Sequence, residues 1–383
     1  EFPQNPRNSY KPSMTHIAPL TPPTLKWEWG TGYDFFASLH VLHDPDRFGL
    51  RGAWAKGVRT RLPVGAREFL ERSSDELLGA FPWVHSLPAP RDGETILDAY
   101  SDLPARDRLP ALTNVGEIPL PISQILFEIA DRGKWIPQDK EGIVSHWQMS
   151  GYSKHAEGLD KILDMWADSQ AFGEQSLEAF KAYYSVFFAE EEARITPALQ
   201  ETIAQAQDLA GKLPLPELLE ELSQGARFDQ LPPASTLVLV PSFWLTPLIS
   251  FFKLNRDESL FVFGGRPADY ALVPGEAVPD ALYNALKALA DPTRLRILHY
   301  LEEKPLTPTE LSAILRLRAP TVIHHLNTLR LAGLVYFSYG KGDKRYAART
   351  SRISEMYLQL RRYLGVSETQ RREDVSGRPP YVA

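Results

Sequence analysis

Apolar residues recur at helical spacing through most of the first 230 positions. Phe35, Phe36, Leu39 and Leu42 run into the stop Asp44-Pro45-Asp46, Trp54, Val58 and Leu62 mark a second segment, and Ala66, Phe69, Leu70, Leu77 and Leu78 a third. Prolines cut the stretch 87–120 into short pieces. The pattern resumes at Ile122, Ile125, Leu126 and Ile129, then over Leu159–Trp166. Its longest run is Ser176–Phe188, ending at Glu190-Glu191-Glu192, and a polar helix over Pro197–Leu213 and a short one over Pro216–Ser223 follow. From Ser235 to Gly265 the period shortens, and Leu237–Val240, Leu248–Lys253 and Leu260–Phe263 predict a three-stranded antiparallel sheet, turned at Asn255-Arg256-Asp257-Glu258.

Beyond a linker at Ala268–Pro279 the helical period returns. Ala281–Ala290 is a first helix, and Asp291-Pro292 opens a second carrying Leu295, Leu298 and Leu301. Thr307-Pro308-Thr309-Glu310 is a capping box for a short third. Pro320 and Gly333 then bracket a helix of about four turns. Its inner stripe is Val322, Leu326 and Leu329, which leaves Pro320, Thr321, His324, Asn327 and Thr328 facing outward. That face is short, polar and nearly uncharged, suited to a DNA groove. Val335–Tyr339 and Lys344–Ala348 predict a hairpin around Gly340-Lys341-Gly342-Asp343, and Ile353, Met356, Tyr357, Leu360 and Tyr363 a closing helix.

Charge sharpens this picture. The net charge of −6 divides unevenly: residues 281–383 hold 17 Lys+Arg against 9 Asp+Glu, and residues 1–280 hold 25 against 39. A basic C-terminal part thus follows an acidic body, and only the basic part can release counterions from phosphates. All eight tryptophans precede residue 281, so the two parts also differ in core chemistry.

The absence of cysteine excludes disulfides, thiolate metal sites and a cysteine nucleophile. The uncharged stretch Gln230–Phe252 contains Pro232, Pro233, Pro241 and Pro247, which would break a spanning helix, so it reads as buried strand. No charged-then-apolar leader opens the sequence, and secretion is not expected. His40 and His43 have the spacing of a metal pair, but without further ligands they read as structural. No HExxH, GxSxG, phosphate-loop or dinucleotide fingerprint occurs. Trp27, Trp29, Trp54, Trp147, Trp166, Phe243 and Trp244 read as core, with a ligand cavity as the alternative. Glu190–Glu192 reads as a solvated face, Gly264-Gly265-Arg266 as a strand exit, and Arg294 as pairing within the fold.

Helix, helix, short helix, tight turn, helix, hairpin, helix is the order of a winged helix-turn-helix. Leu289-Ala290-Asp291-Pro292-Thr293-Arg294-Leu295-Arg296-Ile297-Leu298, then Glu310-Leu311, Thr321–Leu326 and Leu329–Val335 resemble the ArsR-type winged-helix regulators of bacteria. The resemblance implies a homodimeric transcriptional repressor that reads DNA with the helix holding Thr321–Leu329. It also exposes departures. Thr307–Glu310 stands where metal-sensing members carry cysteines, Arg352–Leu364 offers no histidine, Arg318 occupies the usual cap position, and Ile323 replaces a small polar residue. No metal or cofactor is therefore expected. Tyr33–His40 and Val240–Phe243 are similar to segments of poorly characterised domains placed ahead of such winged helices, which implies no particular activity.

The expected fold is mainly α with small antiparallel β elements (α+β). Residues 1–13 are a disordered or vector-derived tail ahead of Met14, 14–270 a mostly helical domain with a sheet near 235–265, 281–365 the winged helix, and 366–383 a tail. The DNA contacts expected are Arg316, Arg318, Thr321, His324, His325 and Thr328, with Lys341, Lys344 and Arg345 on the hairpin. Expected partners are double-stranded DNA, a second copy of the chain and a small-molecule effector in the N-terminal domain, in the cytoplasm. The alternatives are an enzyme tethered to a DNA-binding domain, and a protein-interaction scaffold.

Overall fold

The computed structural model describes residues 22–149, 158–228, 234–275, 278–339 and 344–366. Expectations for the N-terminal tail, Lys341 and positions 367–383 lie outside these residues. Two compact units emerge, Glu1–Ser223 with Gln230–Pro267, and Gln224–Asp229 with Ala268–Ala383. The strands among the described residues are β1 (Thr24–Trp27), β2 (Ala226–Phe228), β3 (Thr236–Ser242), β4 (Ser250–Lys253), β5 (Glu258–Gly264), β6 (Val335–Tyr339) and β7 (Tyr346–Ala348).

The first unit is mainly helical and is built around the helix Thr31–His43, in which every residue from Thr31 to Leu42 is buried. The sequence suggested one inward stripe; the helix is instead wrapped on all sides, as its apolar and small residues allow. Phe35 meets Phe36, Phe180, Tyr183 and Phe188 at ring separations of 5.2–5.7 Å. Ser38 and Tyr183 share a 2.8 Å hydrogen bond within that packing, which satisfies both hydroxyls. The expected break near Glu190–Glu192 is absent. Ser169–Tyr183, a π-turn at Tyr184–Phe188 and Ala189–Ala210 follow without interruption, with Pro197 inside the last. Gly173 lets this run touch the helix Ala105–Leu112, since a Cβ there would lie 1.8 Å from the Ala105 carbonyl oxygen.

The sheet of this unit is four-stranded, in the order β1-β3-β5-β4, and corrects the antiparallel expectation. β1 pairs with β3 and β3 with β5 in parallel; the antiparallel pair is β4 with β5, across the turn that the sequence marked. Leu237–Val240 and Leu260–Phe263 are buried without alternation, the signature of strands covered on both faces. Their period could reveal strands but not which ones would pair, and β1 lies more than 200 residues ahead of its partner.

The second unit places four helices, Asp280–Leu289, Pro292–Glu303, Pro308–Leu315 and Ala319–Leu331, ahead of the β6-β7 hairpin and the closing helix Thr350–Tyr363. Leu282, Ala285 and Met356 join the first helix to the closing one. A bridge from Leu306 to Tyr346 ties the start of the short helix to the hairpin. The sequence did not suggest β2, which pairs in parallel with β6 and makes a three-stranded sheet ordered β2-β6-β7. Gln224 and Gly225, at φ 55° and 115°, turn the chain into it.

Candidate nucleic-acid interface

The capping box sets the start of the short helix. The Glu310 amide donates to Thr307 Oγ1 at 3.2 Å and the Thr307 amide to a Glu310 carboxylate oxygen at 2.7 Å. Three residues separate it from the next helix. Arg316 holds the left-handed conformation at φ 56°, and the Leu317 amide reaches back to the Ser312 carbonyl at 3.1 Å. Arg318 then stands at the cap of Ala319–Leu331 without a capping hydrogen bond from its side chain. The first turn of that helix thus presents amide groups flanked by two exposed guanidinium side chains, a favourable setting for a phosphate.

Val322, Leu326 and Leu329 are buried, while Thr321, Ile323, His324 and Asn327 are exposed. Thr328 is partly buried and donates to the His324 carbonyl at 3.1 Å. His325 sits at the stripe's edge near Asp291 and Arg294, with Nδ1 buried and unpartnered among the described residues. Burial holds its imidazole below the usual range, with Asp291 opposing the shift. The Leu334 amide donates to the Leu329 carbonyl at 2.9 Å and Gly333 adopts φ 69°, closing the helix where the sequence placed its end.

Arg294 pairs within the fold, donating to the Ala288 and Lys287 carbonyls at 2.7 and 2.9 Å. On the hairpin, Arg345 donates to the Pro305 carbonyl at 3.1 Å and lies 3.4 Å from Glu310. Lys344 lies over Phe337 and Tyr346, at 4.8 and 5.7 Å from their centroids. Close packing of its ammonium, with Arg330 nearby, pushes Lys344 down to about 8, although the residue as a whole is exposed.

In the first unit the structure joins segments that the sequence singled out separately. Asp34 is fully buried and accepts from Ser242 Oγ at 2.7 Å and from the Phe243 and Trp244 amides at 3.1 and 2.8 Å. Burial nevertheless pushes its carboxyl up to about 7, with the charge of Glu191 adding to the effect. The acidic triplet is not a solvated face. Glu191 is buried, accepts from Trp244 Nε1 at 2.9 Å and pairs with Arg194 at 2.5 Å; Glu192 accepts from the Gly93 amide at 2.8 Å and from Thr31. Only Glu190 of the three is exposed. The aromatic residues near this network pack on one another: Trp54 stacks on Trp244 at 6.2 Å, and Phe187 meets both. A shallow open cleft lies elsewhere, lined by Trp83, His85, Asn114, Asn255 and Glu258 among others. No described group of three or more His, Asp or Glu residues could hold a metal ion. No helix among the described residues is long and apolar enough to cross a membrane.

Helices in this order, an exposed polar face on the fourth and a basic hairpin after it define a winged helix-turn-helix of the DNA-binding regulator class. Residues 291–336 match the model of the bacterial regulatory protein arsR family. The HTH-type transcriptional regulator CmtR of Mycobacterium tuberculosis (strain H37Rv) is 42% identical over 80 residues, covering 21% of this chain and 68% of the relative; CmtR of Mycobacterium bovis matches equally. The chain belongs to the ArsR family. No solved structure gives a significant match.

Proposed function

We propose that the protein is a sequence-specific, DNA-binding transcriptional repressor of the cytoplasm that binds its operator as a homodimer. The observation that carries this reading is the Ala319–Leu331 helix: its apolar stripe is buried, its polar face is exposed, and its start is flanked by Arg316 and Arg318. Thr321 and His324 are the base-reading residues, with Thr328 and His325 at the margin. Arg316, Arg318, Lys341, Lys344 and Arg345 neutralise phosphates. Dimerisation is supported by apolar side chains exposed on the first and closing helices of the same unit, Tyr283, Leu286, Tyr357, Leu358 and Tyr363. The acidic unit, which cannot release counterions from phosphates, serves as the effector-sensing and dimerisation module.

Fluorescence anisotropy with duplex DNA from upstream of its own gene tests the reading, alongside light scattering for the oligomeric state. Tight binding to that DNA over unrelated duplex, by a dimer, is the expected result. Equal affinity for both duplexes would sink the specific reading, and a monomer on DNA would sink the dimeric one.

A further inference from the structure

The outer surface of the helix Ala319–Leu331 is not uniform in chemistry. Successive residues of a helix turn by about 100°, so side chains three and four positions apart lie together. Thr321, His324 and Thr328 make one side, and each carries a hydrogen-bonding group. Ala319, Pro320 and Ile323 make the other, and none of them has a side-chain donor or acceptor. Asn327 lies between the two sides. Ala319, Pro320 and Ile323 are all exposed, Ile323 at 39%.

Folding gives no reason for Ile323. The stripe that holds the helix in place is Val322, Leu326 and Leu329, and isoleucine is a poorer helix former than alanine. Its place suits recognition instead. The second helix of a helix-turn-helix meets base edges with its N-terminal residues, and Ile323 lies in the second turn. Residues 316–335 contain no Asp or Glu, so nothing in the segment repels a phosphate backbone brought against this side. On the major-groove edges of the base pairs the apolar mark is the C5-methyl group of thymine. A side chain without donors or acceptors can read that mark and no other. The branch at Cβ leaves isoleucine one strongly preferred χ1 in a helix, so its methyl groups are set before binding and little rotamer freedom is lost.

We propose that Ile323 is a specificity-determining residue that recognises a thymine methyl group in the major groove, with Ala319 and Pro320 completing the apolar contact. Each operator half-site then carries a thymine beside the bases met by Thr321 and His324. The proposal rests on the DNA-binding reading above. Its test is anisotropy of the full chain on duplex DNA from upstream of its own gene, with each thymine replaced in turn by deoxyuridine. That exchange removes the methyl group and keeps every hydrogen-bonding edge. Deoxyuridine at one thymine of a half-site should weaken native binding by about fourfold, the worth of one buried methyl group. Ile323→Val, which keeps the branch, and His324→Ala, which leaves the apolar side intact, should show the same methyl effect. Ile323→Ala should bind the thymine duplex about fourfold more weakly and lose most of its sensitivity to deoxyuridine. A methyl effect of equal size in the native protein and Ile323→Ala overturns the proposal, as does the absence of an effect at every thymine. In either case a preference for this duplex over unrelated DNA leaves the DNA-binding reading standing; a native protein without that preference fails both.

Discussion

Asp34 is fully buried and Arg316 exposed, and each is held by the backbone around it in a way that its variants should report. Asp34 gathers three donors from the end of β3, so the β3 exit and the central helix are locked through one carboxylate. Asp34→Asn puts an amide donor against backbone donors, and the expected cost is about 1–3 kcal/mol of stability. A carboxyl whose folded value is raised from 3.8 to about 7 contributes fully when protonated in both states, and that contribution fades as pH rises toward 7. The deficit of Asp34→Asn relative to the native protein should therefore widen as the pH falls from 7 to about 4, read from chemical denaturation. Arg316 is the opposite case, a side chain kept where backbone geometry favours glycine. Arg316→Gly should raise the melting temperature, relieving up to about 1 kcal/mol of left-handed strain, while weakening DNA binding. If both properties fall together, the turn does not hold strain for the sake of that charge.

At the scale of elements, the helix Ala319–Leu331 separates folding from reading. Val322 is fully buried, and Val322→Ala should destabilise the second unit by about 1–3 kcal/mol through lost packing. Thr321→Ala and His324→Ala should leave stability unchanged within about 0.5 kcal/mol but relax preference at one half-site position by about 1–3 kcal/mol. Competition titrations with operators altered base by base make that distinction, and uniform weakening across all variants would reassign both residues to the backbone. This helix was legible in the sequence because its caps, stripe and polar face are all local signals. Pairing partners were not. β3 and β5 announced themselves as strands, but nothing local told that they would lie side by side in parallel. Glu191 and Glu192 read as solvent-facing because their partners, Trp244, Gly93 and Thr31, are remote in sequence. β2 lay in a short segment with no period at all.

The whole molecule has two cores of different chemistry, one aromatic and one aliphatic, so unfolding need not be a single transition. Calorimetry should resolve two. His325 lies partly buried at the edge of the second unit's apolar stripe, and its lowered value means that the folded state prefers the neutral ring. That stability is present above the ordinary imidazole value of 6.5 and is lost as pH falls below it, in the transition of the second unit alone. His325→Gln should flatten that dependence and leave the other transition in place; a dependence that persists would assign it to another group. β2 carries a different consequence, for anyone dividing the chain. A fragment cut at Ala268 would keep the whole family segment and still leave one side of β6 with open amide and carbonyl groups, a template for another chain. The natural seam of the DNA reader does not coincide with any single cut, and a soluble fragment has to bring residues 224–228 with it.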